Sequence, residues 1–303
     1  MFCLLGTSRV WGRACKGNGY RAMKTYDQKT LDHLHECEMV ILRDFIKVCE
    51  ENDLLYFGYA GTGIGAIRHK GFIPWDDDID VGLPAEDHDK LIEIIERDYA
   101  DKYEVMISSK NIDYPFASTR IMLKGTQFCE EVLADLPLDL GIFLDVYSFD
   151  PMADDEKEYR HQAYAAWFWA HVRMLLSISR PVILVQGWKG GLIRFACLCA
   201  SALLRLFHVS PQKAYARETE ARRRYMGQKT KRIAYACDTN PFSDVYTWDD
   251  LLPLQKLPFE DVEMCFSANL DHELRVLFGD YMQLPPEGQR KNHYPARLDF
   301  GPY

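Results

Sequence analysis

Four aspartates fall within five positions in the first third of the chain: Asp76, Asp77, Asp78 and Asp80. Asp80 lies between two apolar β-branched residues, so it belongs to a strand-like segment rather than to a polar loop. Side chains two positions apart on a strand share a face, so Asp78 and Asp80 should point the same way, with Asp76 following if the strand begins early. Neighbouring carboxylates repel unless a cation neutralises them, and Mg²⁺ or Mn²⁺ prefers such oxygen ligands. The run therefore predicts a metal site, although a solvated acidic loop is its ordinary explanation.

Glycines at alternate positions of segment 61–65 precede the acids. They allow backbone N–H groups to approach a phosphate, as at a helix N-terminus, and the Thr62 hydroxyl is a further donor. The pattern G-x-G-x-G is a weak motif by itself, because it matches neither the dinucleotide-binding fingerprint nor the P-loop. Arg68 and Lys70 place positive charge between the glycines and the acids. Gly61, Thr62, Arg68 and Lys70 are therefore candidates for binding a substrate phosphate.

A glycine turn, a short helix and two aspartates on a strand form the layout of nucleotidyltransferase-fold active sites, which take a third carboxylate from a later strand. Asp145 is our candidate, because it is embedded in the apolar segment 142–147 and a buried acid is costly unless it is paired or metal-bound. Asp139 is a less favoured candidate, and a hydrogen-bonded structural role for Asp145 remains open. We predict four metal ligands, of which the last three are also catalytic: Asp76, Asp78, Asp80 and Asp145.

The elements that must position these residues can be read from the spacing of apolar residues. Helical spacing predicts helices over 27–52, 64–69, 86–97 and 270–278. Short apolar segments predict strands over 54–59, 79–83, 103–108, 117–123, 141–149, 233–236 and 263–266. Helices and strands mixed in this way predict an α+β (mixed α/β) fold with a core sheet and flanking helices.

The segment 160–232 differs from the rest of the chain in charge. It carries 14 Lys and Arg against 2 Glu, a net of +12, so the remainder carries −9 − 12 = −21. We predict that it is mostly helical, with breaks near residues 180–181 and 190–191. Arg194 and Arg205 interrupt its apolar run, which leaves too few residues for a transmembrane helix. Two interpretations stay open: a helical subdomain packed on the core, or a helical patch on an anionic membrane.

Overall composition restricts the class of protein and its compartment. A net charge of −9 argues against non-specific binding of nucleic acid. The 9 cysteines include no C-x-x-C pair, and their odd, irregular pattern fits reduced thiols in a cytosol. The first apolar run is too short for a signal peptide. We therefore expect a cytoplasmic protein.

Three segments together resemble the LicD family, the bacterial phosphocholine transferases related to fukutin and fukutin-related protein. Residues 68–80 (RHKGFIPWDDDID) resemble the family signature, and residues 141–146 (GIFLDV) resemble its second motif. Residues 279–286 (GDYMQLPP), followed by Arg290 and His293, resemble its C-terminal segment. The similarity runs from about Leu31 to His293. The chain departs from the family after Tyr147, where Ser148 stands in place of the usual proline.

The resemblance implies transfer of a phospho-alcohol group, most typically phosphocholine, from a CDP-linked donor to a sugar hydroxyl, with release of CMP. The implied acceptor is a cell-surface glycan such as lipopolysaccharide or teichoic acid. The three catalytic aspartates would hold one or two Mg²⁺ or Mn²⁺ ions. Gly61 and Thr62 would contact phosphate, Arg68, Lys70 and Arg290 would pair with diphosphate oxygens, and His293 is a further candidate. The donor alcohol stays open between choline, ribitol, glycerol and others.

Two other functions remain open at this point. The same carboxylates could serve a nucleotidyltransferase that moves NMP to an acceptor. The basic segment could instead belong to a non-catalytic adaptor at a membrane surface. The expected partners are a CDP-alcohol and a glycan or lipid-linked glycan, and we expect no nucleic acid. Peripheral contact with the inner face of an anionic membrane stays open.

The predicted organisation has four parts. Residues 1–26 form a disordered extension, and residues 27–150 form a nucleotidyltransferase-like catalytic core. Residues 151–232 form the basic, apolar helical insert, and residues 233–303 complete the active site.

Overall fold

The computed structural model describes residues 24–178, 187–290 and 292–303. Residues 1–23 of the predicted N-terminal extension and the predicted helix break at 180–181 lie outside these ranges. The helices are α1 Gln28–Glu51, α2 Ala60–Arg68, α3 Ala85–Asp98, α4 Glu156–Ser177, α5 Gly187–Leu206, α6 Pro211–Arg222, α7 Trp248–Leu251 and α8 Leu270–Phe278. The strands are β1 Phe57–Gly58, β2 Asp80–Pro84, β3 Tyr103–Met106, β4 Thr119–Leu123, β5 Gln127–Glu130, β6 Phe143–Met152, β7 Arg232–Ala234, β8 Val245–Thr247, β9 Gln255–Phe259, β10 Val262–Phe266 and β11 Pro295–Asp299.

A mixed sheet forms the centre of the molecule, which confirms the predicted mixed α/β fold. Its strand order is β1-β2-β6-β4-β3, with β7 added along the far end of β6 and β8 beside β7. β2 and β6 run parallel, whereas the other described neighbours in this sheet are antiparallel. β6 is the longest strand and its residues are almost all buried, as expected of a strand covered on both faces. The start of β2 and the first half of β6 therefore lie side by side in the interior.

Helix α1 follows the pattern predicted from its sequence. The side chain of Asp27 accepts a hydrogen bond from the Thr30 N–H (3.0 Å) and so caps the first turn. Its apolar stripe is buried in the main core, with Leu34, Leu42 and Phe45 at 1% exposure or less. The apolar spacing and the cap thus fix which face of α1 points toward the sheet.

Helix α2 differs from its prediction, because the glycines are part of it. The helix begins at Ala60, which has a φ of +50°, so the expected glycine turn before Ile64 is absent. Two of the glycines allow close packing of the helix. A Cβ at Gly63 would lie 3.0 Å from a methyl carbon of Leu270 in α8, and one at Gly65 would overlap the carbonyl oxygen of Gly71. Packing, rather than access to a phosphate, explains Gly63 and Gly65.

Buried ion pairs attach the helical insert to the core. Arg173 of α4 is fully buried and donates to Glu218 of α6 (Nε to Oε2, 2.8 Å). It also donates a hydrogen bond of 2.6 Å to the hydroxyl of Ser108, a residue in the loop after β3. Arg222 of α6 donates to Asp150 of β6 at 2.7 Å. Residues 190–191 lie inside α5, so the break predicted there is wrong.

The insert also holds a long apolar helix, α5. Within the described ranges, no single helix has the length and hydropathy that a membrane crossing requires. Two consecutive helices, Gly190–Leu206 and Pro211–Arg222, meet the criterion of length and composition together but are bent by 93°.

The C-terminal part returns to the core at two places. The β9–β10 hairpin packs on α2, and β11 pairs with β5 in an antiparallel register that begins at Pro295 and Glu130. The strands β5, β8, β9 and β11 and the helix α7 are absent from the sequence prediction. None of them contains more than two consecutive apolar residues, so they lack the short apolar segments that predicted the other strands.

The tight contact at Gly65 gives a test of the helix packing. Gly65→Ala should lower the free energy of unfolding by at least about 1 kcal/mol, because the new methyl group meets backbone rather than a flexible side chain. Gly191→Ala is the matched control, since its Cβ meets nothing within 4 Å. Alanine should stabilise α5 by up to about 1 kcal/mol. Urea denaturation measures both, and equal effects of the two substitutions would contradict the packing role.

Candidate metal and phosphate site

The register of three neighbouring strands brings the predicted catalytic acids together. Asp80 of β2 lies opposite Asp145 of β6, and Asp145 lies opposite Arg120 of β4. Asp78 precedes the strand, and oxygens of Asp78, Asp80 and Asp145 all lie within 4.8 Å of one another in a buried position. Divalent cations such as Mg²⁺ are bound by carboxylate oxygens grouped in this way. Three buried carboxylates with hard oxygen donors fit a divalent cation.

Burial and mutual repulsion oppose ionisation of this cluster. Burial raises the pKa of Asp78 to about 6, and Asp77 and Asp145 add to the increase while His293 opposes it. The pKa of Asp145 is raised by burial, and Arg120 offsets part of that increase. The pKa of Asp76 is well above its ordinary value, first because of burial and then because of Asp78. A cation bound beside Asp76, Asp78 and Asp145 would favour their ionised forms.

Arg120 supplies positive charge on one side of the cluster. Its Nε donates to Asp145 Oδ1 at 3.3 Å, and its two terminal nitrogens donate to the carboxylate of Glu130. The guanidinium carbon lies 3.7 Å from the centre of the Phe143 ring. Arg120 and Glu130 do not figure in the sequence prediction. An arginine inside the apolar segment 117–123 was the available signal.

Asp77 is the acid of the run that the sequence prediction left out, and it joins the two ends of the chain. It is fully buried and accepts hydrogen bonds from the Tyr26 hydroxyl (2.6 Å) and the His293 backbone N–H (2.7 Å). Tyr26, a residue of the predicted extension, also packs against Tyr294 with ring centres 4.7 Å apart. Asp77 thus fixes the C-terminal segment over the acid run.

His293, a candidate for substrate binding in the sequence prediction, lies directly against the acids. Its Nδ1 is 3.4 Å from Asp77 Oδ1 and 3.3 Å from Asp78 Oδ2. Burial lowers the pKa of His293, but the charges of Asp78 and Asp77 raise it by more than burial lowers it. The pKa of His293 is therefore well above its ordinary value. In the described part of the chain, Asp77, Asp78 and His293 form a second group that could hold a cation, and Asp76 belongs to neither group.

Glu38 is a further acid beside the cluster that sequence reasoning missed. It lies on α1 at 2% exposure, and its Oε2 has no hydrogen-bond partner within the described ranges. Burial, followed by the charges of Asp77 and Asp78, raises its pKa well above the ordinary value. The sequence feature that could have indicated Glu38 is its position four residues from both Leu34 and Leu42, on the apolar face of the helix.

Thr62 and Gly61 lie at the N-terminus of α2, next to the acids. The Thr62 hydroxyl oxygen accepts a hydrogen bond from the Asp80 backbone N–H at 2.8 Å, which ties the helix to β2. A Cβ at Gly61 would lie 3.2 Å from Asp76 Oδ2. Among the residues that the structure describes, no side chain caps α2. Its first-turn N–H groups therefore form an anion-binding end close to the carboxylates.

Arg68 and Arg290 approach Trp75 from two distant parts of the sequence. Their guanidinium carbons lie 6.0 Å and 4.4 Å from the indole ring. Arg68 donates to the Tyr281 carbonyl through Nη1. The Nη2 of Arg68 and the Nε of Arg290 are buried and have no hydrogen-bond partner among the described residues. Two unpaired guanidinium nitrogens beside one aromatic ring are suited to an anion such as phosphate.

Lys70 is the predicted substrate-binding residue that the structure does not bring to the acids. It is exposed at the end of α2 opposite Gly61, and its carbonyl accepts a hydrogen bond from the Glu260 N–H at 2.8 Å. Asp139, the less favoured third carboxylate, is also exposed and lies outside both groups of possible cation ligands.

Comparison with known proteins defines the class. Residues 53–126 match the family model described as LicD/FKTN/FKRP, nucleotidyltransferase domain. This range contains α2, the acid run and Arg120, and it ends before Asp145. The acid run therefore lies within the part of the chain that is similar to this domain.

Whole-chain similarity extends beyond that domain. The chain is 25% identical over 270 residues to the lipopolysaccharide cholinephosphotransferase LicD of Haemophilus influenzae, covering 84% of this chain and 92% of that protein. Shorter matches are to the uncharacterized proteins RP689 of Rickettsia prowazekii (38% over 55 residues) and RT0683 of Rickettsia typhi (40% over 47 residues). They cover 18% and 16% of this chain, and 21% and 15% of those proteins. The chain is thus similar to LicD proteins, over residues 53–126 in the family model and over most of its length in the Haemophilus protein.

The pairing of Arg120 can be tested by unfolding. Arg120→Met should lower the free energy of unfolding by about 3–5 kcal/mol, because it leaves Glu130 and Asp145 buried without their cation. Arg43→Met is the control, since Arg43 pairs with Asp261 on the surface and its loss should cost less than about 1 kcal/mol. Urea denaturation in EDTA measures both. A loss at Arg120 no larger than at Arg43 would contradict the compensating role.

The donor set predicts metal binding that depends on pH. Purified protein should bind Mn²⁺, and Asp80→Asn or Asp145→Asn should weaken binding at least about tenfold. Because the Asp78 carboxyl has a pKa of about 6, protons compete with the ion below that pH, and affinity should fall as pH is lowered through 6. Electron paramagnetic resonance of free Mn²⁺ measures this, with Asp139→Asn as the control. Binding that is insensitive to both Asp80→Asn and Asp145→Asn would place the ion elsewhere.

Proposed function

We propose that this protein transfers phosphocholine from CDP-choline to a sugar hydroxyl of a cell-surface glycan, with release of CMP and with Mg²⁺ or Mn²⁺ as cofactor. The observation that carries the proposal is the group of three buried carboxylates, Asp78, Asp80 and Asp145. Two guanidinium nitrogens with no hydrogen-bond partner among the described residues lie beside Trp75, which directly precedes the acid run. That combination suits a diphosphate, which needs both a bridging cation and direct hydrogen-bond donors. The name of the Haemophilus relative supports phosphocholine as the group and lipopolysaccharide as the type of acceptor.

The carboxylates would hold the cofactor, and other residues would bind the donor. Asp78, Asp80 and Asp145 are the proposed ligands, and an ion bound there neutralises phosphate charge and stabilises the leaving oxygen. Arg68 and Arg290 donate their unpaired N–H groups to diphosphate oxygens. The first-turn N–H groups of α2, at Gly61, contribute further donors to phosphate.

The reaction is an in-line substitution at the phosphorus that bears choline. The acceptor hydroxyl oxygen forms the new O–P bond while the bond from that phosphorus to the oxygen of CMP breaks. A carboxylate of the cluster accepts the hydroxyl proton. CMP leaves with the bonding electron pair, and its new negative charge faces the guanidinium groups.

The choice of choline rests on the relative, because the site offers no aromatic cage at Trp75. A choline cation would need an open aromatic face. The Arg290 guanidinium already lies 4.4 Å from the Trp75 ring and so occupies one face of it. CDP-ribitol and CDP-glycerol are therefore the donors to compare with CDP-choline.

Nucleotidyl transfer is the second candidate, and the match to a nucleotidyltransferase domain favours it. The same carboxylates would serve, because only the phosphorus under attack differs. The products separate the two functions, since phospho-alcohol transfer releases CMP and nucleotidyl transfer releases pyrophosphate.

The proposed location is the cytoplasm, with the acceptor reached at the inner face of the membrane. The seven cysteines in the described ranges are free thiols, six of them buried or partly buried. Free thiols are expected of a reducing compartment.

The function is tested by CMP release from CDP-choline, CDP-ribitol and CDP-glycerol, each with a membrane-glycan extract as acceptor and with Mn²⁺ or EDTA. One donor should give CMP that depends on the metal. Asp80→Asn should lower kcat at least about 10²-fold, because it removes transition-state charge stabilisation. Asp139→Asn is the matched control and should keep full activity. Full activity of Asp80→Asn would refute the site, and pyrophosphate in place of CMP would select nucleotidyl transfer.

A further inference from the structure

Helix α5 presents a row of large apolar side chains to solvent. Measured from Trp188, the other members lie 4, 7, 15 and 18 residues along, which places them on one face of a helix with 3.6 residues per turn. The exposed fractions include 75% at Trp188, 64% at Phe195 and 69% at Leu206. We call this row the outer face of α5; its members are Trp188, Leu192, Phe195, Leu203 and Leu206.

The opposite face of α5 is the one that packs on the protein. Cys197 is buried there, and Leu204, seven residues further, packs against Val172, Leu176 and Ala214 of α4 and α6. The helix thus already has its protein contacts. The outer face is additional apolar surface, larger than the scattered exposed residues that ordinary solvent-facing helices carry.

The charges around the outer face have one sign. Residues 159–217 contain no aspartate or glutamate, in a chain whose net charge is −9. Arg194 and Arg205 lie eleven residues apart, so they share one flank of the helix, beside the outer face. Arg194 is exposed, and Lys213 and Arg217 of α6 are exposed as well. An apolar stripe bordered by arginines is the pattern of a helix that lies in a membrane interface.

At the bend after α5, Phe207 adds a further exposed apolar side chain next to Leu206 of the outer face. Leu206 and Phe207 are 69% and 76% exposed, just where the chain turns by 93° into α6. Among the described residues, no single helix qualifies as a membrane span. An interfacial position therefore accounts for the outer face better than a crossing does.

We propose that the outer face of α5 docks onto the surface of an anionic lipid bilayer, with its apolar side chains below the headgroups and the exposed Arg194 at the level of the lipid phosphates. This surface is separate from the carboxylate cluster. The inference goes beyond the proposed function and does not require it. An acid-free, net positive segment selects anionic lipid over neutral lipid, because each cation near such a surface strengthens binding about fivefold.

Flotation of the full-length protein with vesicles tests the proposal. Vesicles of phosphatidylglycerol and phosphatidylcholine in equal parts should carry the protein upward, whereas vesicles of phosphatidylcholine alone should retain little of it. The bound fraction should fall at high salt. No flotation with the anionic vesicles, or equal flotation with both kinds, would overturn the proposal.

Two variants separate the apolar and the electrostatic parts. Phe195→Glu with Leu206→Glu should reduce binding to anionic vesicles at least about tenfold, because charged side chains replace buried apolar ones. Arg194→Gln should reduce it about fivefold. Val276→Glu is the matched control, since Val276 is 62% exposed on α8 and lies outside the outer face. Circular dichroism confirms that each variant is folded.

A second copy of the chain is the competing occupant of this face. Sedimentation velocity without lipid distinguishes it. If the double variant turns a dimer into a monomer and leaves flotation unchanged, the face is a subunit interface and the lipid proposal is wrong. CMP release from a soluble acceptor is measured separately, so failure of flotation leaves the proposed reaction untouched.

Discussion

The repulsion among buried carboxylates is the constraint around which the site is organised. Asp77, Asp78, Asp80 and Asp145 lie together in the interior, and Glu38 adds another acid from α1. Each costs free energy to bury unless positive charge or a donor compensates it. The structure meets part of this cost with Arg120, His293 and Tyr26, which contact the acids from three separate parts of the chain. The remaining negative charge is what makes the cluster suitable for a divalent cation.

Strand register turns this local problem into a property of the fold. Asp80, Asp145 and Arg120 face one another only because β2, β6 and β4 are adjacent and in this alignment. A slip by one residue would send one of these side chains to the opposite face of the sheet. Thr62 fixes β2 against α2, and the close approach of Gly65 to Gly71 sets the position of that helix. The geometry of the acids thus depends on contacts that involve no charged group.

The sequence allowed prediction of those parts whose signal is local. Apolar periodicity identified α1, α3 and α8, and an aspartate inside an apolar strand identified Asp145 as the partner of Asp78 and Asp80. Pairings between short segments that are distant in the sequence were not predictable. For example, β5 and β11 have only four and five residues, and more than half of the chain separates them in the sequence. The glycines of α2 were misread as a turn, because their role depends on Leu270 and Gly71. Asp77 was missed for the same reason, since Tyr26 and His293 give it its role.

The helical insert has two faces with different physical requirements. On its inner side, Arg173 pairs with Glu218 and Arg222 pairs with Asp150, all of them buried. Buried ion pairs need defined geometry, so these pairs fix α4 and α6 on the sheet. Asp150 belongs to β6, the strand that also carries Asp145, so the insert and the carboxylate cluster share one rigid element. Arg205 of α5 donates to the Leu176 carbonyl at 2.9 Å, which ties α5 to α4. A bilayer that binds the outer face would therefore also set the orientation of the carboxylate cluster. If the proposed reaction uses an acceptor attached to a lipid, this arrangement would confine the reacting groups to one plane and so favour their encounter.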